Sequence, residues 1–312
     1  REHALHVEQR ALGPADGRTV ELLMRSADLA LYRSKDQGGN IHHGYQHKLH
    51  ANAEERRLME FELRNALERE QLHVEYQPVV NATDDNALVG FEALVRWNNP
   101  KFGNVSPAKF IPVAEDARLI VPIGEYVLRK ACKDAMSWSD TTRIAVNISV
   151  DQLTSINFVE TVIGALHDSG LAAWRLELEV TESIFLRDGT LAVQVLDRLR
   201  GLGIKLSLDD FGTGYSSLGY LRNVRFDTIK IDRSFVQGAA KNKAESIAII
   251  RAVVALADSL NIATTAEGVE TEAELEMIQQ LGCKKIQGYY FGRPMLFADS
   301  LALFNRPHRR VA

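Results

Sequence analysis

Several large classes of protein are excluded by what this 312-residue chain lacks. It has two cysteines, Cys132 and Cys283, far apart and in no CxxC pair, which removes a disulfide framework and a cysteine-bound zinc. Both are expected as reduced core residues. No apolar run reaches the roughly 18–20 residues that a membrane helix requires, and the opening REHALHVEQR lacks the apolar stretch of a signal peptide. A cytoplasmic segment is expected, with any membrane tether of the parent protein outside these residues. Nor is there an excess of basic residues: 37 Lys and Arg against 41 Asp and Glu leave a net charge of −4. Without a basic stripe no DNA partner is expected, and an anionic substrate must rely on local cations.

What is present is an ordinary globular composition, 46% hydrophobic and 25% charged, long enough for a large core. After the first two strand-like runs, short apolar runs alternate with amphipathic stretches. Strands are expected at His73–Val80, Leu88–Trp97, Arg143–Ser149, Arg175–Thr181, Lys205–Phe211, Asp227–Asp232, Ile262–Val269 and Lys284–Phe291. Helices are expected at Pro122–Trp138, Phe158–Ser169, Leu191–Leu202, Ala244–Leu260 and Glu272–Leu281, with a shorter one near Ser217–Leu221. Eight strands mostly separated by helices is the arithmetic of a TIM-type (β/α)8 barrel. A short polar turn, Asn81–Asn86, joins the first two strands, so an antiparallel first strand is expected.

Upstream, residues 41–57 read as a linker entering a helix, and Met59, Leu63, Ala66 and Leu67 form a helical stripe. His42, His43, His47 and His50 crowd the linker, but no carboxylate or cysteine completes a metal shell, so they read as solvated.

The stretch Lys205–Leu218, KLSLDDFGTGYSSL, focuses the chemistry. Alternation places Asp209 on the polar face of its strand, Asp210 at the strand's end, and Gly212 and Gly214 in a loop able to turn with positive φ. Other strands carry polar residues toward the same end: Glu92 with Leu94 and Arg96, Asn147 with Ser149, Glu177 with Glu179, Lys230 with Asp232, Thr265 with Glu267, and Gln287 with Tyr289. Carboxylates crowded inside a barrel repel one another unless cations intervene. An oxygen-only donor set selects hard ions, so two Mg²⁺ or Mn²⁺ are expected, with Asp209 bridging and Asp210 serving the second. Ca²⁺, larger and looser in geometry, is expected to bind without supporting reaction.

FEALVRW, VNIS, LELEVTES, LDDFGTGYSSL, IKIDRSFV, AEGVET and QGYYFGRP stand in the order and spacing of the EAL-domain cyclic di-GMP phosphodiesterases, which this chain resembles over Leu58–Phe304. The resemblance implies hydrolysis of cyclic di-GMP to linear pGpG on a two-metal barrel that often forms a homodimer. It further implies that Glu92, Asn147, Glu179 and Asp209 ligate the first metal, and Asp209 and Asp210 the second. Lys230 matches the lysine that holds the attacking water and the phosphate, Glu267 a general base or metal and water partner, and Gln287 the glutamine beside it. Gln77, Leu94, Arg96 and Pro294 match contacts to the dinucleotide. Glu182 and Glu270 resemble acids that brace the DDFGTG loop, with Asp232 as a further supporting carboxylate. On bare pairing logic, Lys230 with Asp232, or Arg96 with Glu92 or Asp232, are instead plain ion pairs.

The words PADG, ELLMRSADLALYRSK and GGN near the start resemble the tail of a GGDEF domain without its signature loop. The expected organisation is therefore a GGDEF-like remnant at 1–40, a linker at 41–57, the barrel at 58–306 and a tail at 307–312, with the upstream GGDEF or sensory region as a partner in the parent protein. A reading of a different class is a module that binds the dinucleotide without turning it over.

Overall fold

The computed structural model describes residues 9–10, 19–20, 24, 43–44, 47–83, 85–212 and 219–304. The chain divides into two compact units, Arg1–Ala66 and Leu67–Ala312. In the first, Gln9–Arg10 pairs in parallel with His43–Gly44, and α1 spans His47–Arg64. Most of the GGDEF-like remnant, the expected helix from Thr19, and the tail at 307–312 lie outside the described residues. No helix among the described residues is long and apolar enough to cross a membrane.

The second unit is a closed barrel with helices around it. Its strands are β1 (Leu72–Asn81), β2 (Leu88–Asn99), β4 (Arg143–Asn147), β5 (Leu176–Thr181), β6 (Lys205–Phe211), β7 (Thr228–Ile231), β8 (Ala263–Ala266) and β9 (Lys285–Gln287). A short β3 (Gly103–Val105) folds back on β2. Strands β2 and β4 to β9 run parallel, and β1 closes the ring antiparallel to both β2 and β9. The two-sided antiparallel strand follows from the short β1–β2 connection, which cannot carry a crossover helix.

Two sets of alternating side chains give the barrel an inside and an outside. Outward-facing Phe91, Val146, Leu176, Leu178, Leu206, Leu208, Ile229 and Ile286 join one apolar core with residues of the surrounding helices. Each such side chain, fully buried, contributes about 1.5–3 kcal/mol. Inward-facing Glu92, Glu177, Glu179, Ser207, Asp209, Lys230, Thr265 and Gln287 are buried as well. The core that holds the fold is therefore the shell between strands and helices, and the barrel axis is polar.

The surrounding helices are α2 (Pro107–Asp116), α3 (Ile120–Ala135), α4 (Val150–Leu153), α5 (Phe158–Ser169), α6 (Ile184–Gly201), α7 (Tyr220–Asn223), α8 (Arg233–Ala240), α9 (Ala244–Leu260), α10 (Glu272–Gln280) and α11 (Phe297–Ala302). Helix α6 begins seven residues before the expected Leu191, running through Asp188-Gly189, which reads locally as a break. Burial of Ile184 outweighs the cost of a helical glycine. Helices α2 and α8 escaped the periodicity, though each has a start signal: Pro107 at the first turn of α2, and Asp232 accepting from Ser234 N at 2.9 Å for α8. Of the short helix expected near Ser217–Leu221, residues 217 and 218 lie outside the described residues, and α7 occupies Tyr220–Asn223.

Candidate active site

Strand register assembles the polar layer at the carboxyl end of the barrel. Gln77 stands opposite Glu92 across β1 and β2, Asn147 beside Glu179 across β4 and β5, and Lys230 beside Thr265 across β7 and β8. At its centre Lys230, 2% exposed, points Nζ into a ring of carboxylates: 2.7 Å from Glu179, 2.7 Å from Glu267, 3.4 Å from Asp209 and 3.6 Å from Glu92. Asp232 instead caps α8, so its pairing with Lys230 gives way to the helix N-terminus.

On the ring's other flank, Glu92 Oε1 accepts from Asn147 Nδ2 at 2.6 Å, and Glu92 Oε2 accepts from Gln287 Nε2 at 2.5 Å. Gln287 Nε2 also reaches Gln77 Oε1 at 3.1 Å, and Gln77 Nε2 donates to Gly292 O at 3.3 Å. Glu92, Asn147, Glu179 and Asp209 therefore meet in one layer. Their closeness was readable from strand parity, whereas the partner of each was not.

The end of β6 turns on a local irregularity. Pairing with β7 shifts register between Leu208 and Phe211, and Asp210 adopts φ of 53°, where a non-glycine residue is strained. Asp210 N is held by Asp209 Oδ1 at 2.9 Å. This corner brings carboxylate oxygens of Asp209, Asp210 and Glu267 within 4.8 Å of one another, a cluster able to hold a metal ion. Gly212 follows with φ of +91°, and its N–H donates to Glu182 Oε1 at 3.1 Å. Residues 213–218, with Gly214 and the rest of the loop, lie outside the described residues. Glu270, expected to brace that loop, has an exposed side chain, and its N–H is held by Glu274 Oε2 at 2.7 Å as part of the cap of α10.

The electrostatics are unbalanced. Burial, reinforced by Glu92 and Asp209 and opposed by Lys230, pushes the Glu179 carboxyl well above the ordinary range. Glu267 is pushed up to about 8, by burial first, then against Lys230 by Asp209 and Glu92. Asp210 is raised by burial, Asp209 and Asp232. At Glu92 burial also acts upward, but Lys230 with the amides of Gln287 and Asn147 wins and the carboxyl is lowered. Lys230 is raised well above the usual lysine range, because four carboxylates outweigh its desolvation. Five acids against one ammonium leave four formal negative charges, as many as two divalent cations carry.

Arg96 takes a partner that parity alone did not single out: Nε donates to Glu75 Oε2 at 2.7 Å and Nη1 to Val95 O at 3.0 Å. The alternation of His73, Glu75 and Gln77 on β1 offered candidates, but which of them meets Arg96 is set by the pairing of β1 with β2. Leu94 and Pro294 are half-buried, and Met295, beside Pro294, bridges to Tyr76 through both backbone bonds, at 2.8 and 3.0 Å.

The EAL domain family matches residues 60–294 of this chain. The chain belongs to the EAL domain family. Among its relatives is the bifunctional diguanylate cyclase/cyclic di-GMP phosphodiesterase MucR of Pseudomonas aeruginosa, 44% identical over 296 residues, covering 94% of this chain and 43% of MucR. The cyclic di-GMP phosphodiesterase NbdA of the same organism is 40% identical over 303 residues, covering 96% of this chain and 38% of NbdA. This EAL chain thus spans less than half of either relative. A solved structure of the P. aeruginosa MucR phosphodiesterase in complex with c-di-GMP superposes with a TM-score of 0.74 at 43% identity, over 78% of this chain and 99% of that one.

Proposed function

We propose that this EAL domain hydrolyses cyclic di-GMP to linear pGpG, using two divalent cations, Mg²⁺ or Mn²⁺. The observation that carries the proposal is the buried Lys230 within its ring of Glu92, Glu179, Asp209 and Glu267, open to Asp210. Such a layer is overloaded with negative charge and consists of oxygen donors, which suits hard cations.

Glu92, Asn147, Glu179 and Asp209 would hold one ion, and Asp209 and Asp210 the other. When bound, these ions neutralise phosphate charge and lower the pKa of water. Lys230 orients the attacking water and the phosphate from below. Glu267, 2.7 Å from Lys230 Nζ and beside Asp209 and Asp210, is placed to take up the proton of that water. Arg96 keeps Nη2 for a phosphate oxygen while Glu75 fixes the guanidinium plane. Gln77, Leu94 and Pro294 would contact the dinucleotide, and Glu182 steadies the turn at Gly212. The barrel would span 58–306, with 41–57 linking it to a GGDEF-like remnant at 1–40 and to further upstream regions of a longer protein.

Incubating the purified chain with cyclic di-GMP, with and without Mg²⁺, and separating the nucleotides tests this reading. Product only with metal supports it; tight binding with no product makes the domain a receptor. Lys230→Ala is expected to reduce turnover far more than dinucleotide binding, and equal losses would recast Lys230 as a binding residue.

A further inference from the structure

A cavity of about 40 Å³ runs beneath the carboxylate ring toward the amino ends of the strands. Its lower wall carries Arg143 and Lys285, the first residues of β4 and β9, with Glu177 near the start of β5; its upper wall carries Lys230 and Gln287. A water molecule needs about 10–15 Å³ of such volume, so there is room for about three. An apolar void of this size would stay dry; here Val79, Val89, Phe91 and Ala145 share the wall with those charged and amide side chains and with Glu179.

Two buried polar atoms in the barrel interior have no partner: Gln287 Oε1 and Ser207 Oγ. The Gln287 amide cannot simply be reversed, because its Nε2 must donate to the Glu92 carboxylate at 2.5 Å. Oε1 is thus committed to an acceptor role on a side chain 4% exposed that lines the cavity. Ser207, fully buried, is not on the cavity wall; it stands in register with Glu179, which is, on one side and with Thr228 on the other. Thr228 Oγ1 in turn accepts from Lys285 Nζ at 3.1 Å, and Lys285 lies 3.7 Å from Glu177. An orphaned polar atom on the wall of a cavity that also carries charged groups, with a second orphan one strand position behind that wall, is the condition under which internal water is retained.

We infer that the barrel axis holds a short column of ordered water, entered from the end opposite the reaction centre between Arg143 and Lys285, and that Lys285 acts through it as a positioning residue. The column completes the hydrogen bonding of Gln287 and Ser207 from below. Gln287 in turn holds Glu92 and Gln77, so the column fixes the plane of an amide that two residues of the site lean on. The role of Lys285 in turnover rests on the hydrolysis proposed above; the presence of the water does not.

A crystal structure showing internal solvent is expected to place water within hydrogen-bond distance of Gln287 Oε1 and of Ser207 Oγ, and a dry cavity overturns the inference. Ser207→Ala provides a second reading: removing a water-bonded hydroxyl lowers Tm by a few degrees, whereas removing an orphaned one leaves Tm unchanged or raises it. Lys285→Met is expected to lower kcat about 10-fold with KM unchanged, and Lys285→Arg to restore it. Unchanged kcat in Lys285→Met removes the positioning role. If the unaltered chain shows no hydrolysis at all, the proposed function fails, while the solvent and Ser207→Ala measurements still decide the column.

Discussion

The two ends of the barrel treat charge in opposite ways. At the amino end, charged groups are matched to partners supplied by the fold. Buried Arg175, 3% exposed, donates to the carbonyls of Thr142, Ala135 and Ser139 at 2.7–3.0 Å, and Lys205 pairs with Asp227 at 2.8 Å. At the carboxyl end, Lys230 faces four carboxylates, with Asp210 close by. The first arrangement is complete by itself and serves stability. The second leaves negative charge in excess of its one ammonium, which is how a candidate binding centre differs from a structural polar network.

Apart from Lys285, whose effect on turnover runs through the water column, substitutions at the carboxyl end should cost activity and those at the amino end stability. The largest effect is expected from Glu92→Ala, with a loss of hydrolysis on the order of 10³-fold, as when a principal electrostatic contact of a reaction centre is removed. Its urea midpoint should change little, because the variant also relieves repulsion; full activity would take Glu92 out of the site and erase the contrast. Arg175→Ala should do the reverse, removing three hydrogen bonds made by a buried guanidinium, at a cost of about 3 kcal/mol in urea unfolding with kcat of the folded fraction unchanged. A normal midpoint would show that the amino end is not the stabilising one.

Metal should act on the upper end alone. Mg²⁺ at about 100 times its Kd is expected to add about 2.7 kcal/mol to the unfolding free energy, and Asp209→Asn to abolish most of the gain. Without metal the sign of the pH dependence follows from Glu267, raised from 4.5 to about 8. Between those values the folded chain binds more protons than the unfolded one, so the stability conferred by this proton is present at low pH and lost as pH rises toward 8. A Tm series in EDTA checks this, with saturating Mg²⁺ expected to flatten it; a Tm that climbs over the same window contradicts the assignment.

The smallest effect sharpens the boundary between the two ends. Asp232 is at the upper end but is engaged as a helix cap, so Asp232→Ala should behave like a lower-end variant, costing about 1 kcal/mol with near-normal turnover. A collapse of turnover instead would return Asp232 to the reaction centre.

Period-2 alternation was sufficient to read which face is polar in the seven strands after the first. Lys230, Glu179 and Glu92 were therefore legible as neighbours before any coordinates, as was the antiparallel first strand from the short turn after it. The partnership of Arg96 with Glu75 was not, because it depends on which residue of β1 lies near Arg96 after the strands pair. Nor was the corner at Asp210, since a register shift against β7 belongs to neither strand alone. Helix α6 shows the same limit in reverse: Asp188-Gly189 reads as a break locally, and packing carries the helix through it.

By itself the sequence determined the kind of barrel, the polar side of seven of its strands and the oxygen character of the acidic cluster, because each follows from local alternation and from residue chemistry. Only the tertiary structure decided which acids Lys230 touches and at what distance, that Gln287 links two of the site's side chains while one of its own oxygens has no protein partner, and that Asp232 serves a helix. Those outcomes depend on distances of a few ångströms between segments far apart in the chain, which are fixed when the ring of strands closes.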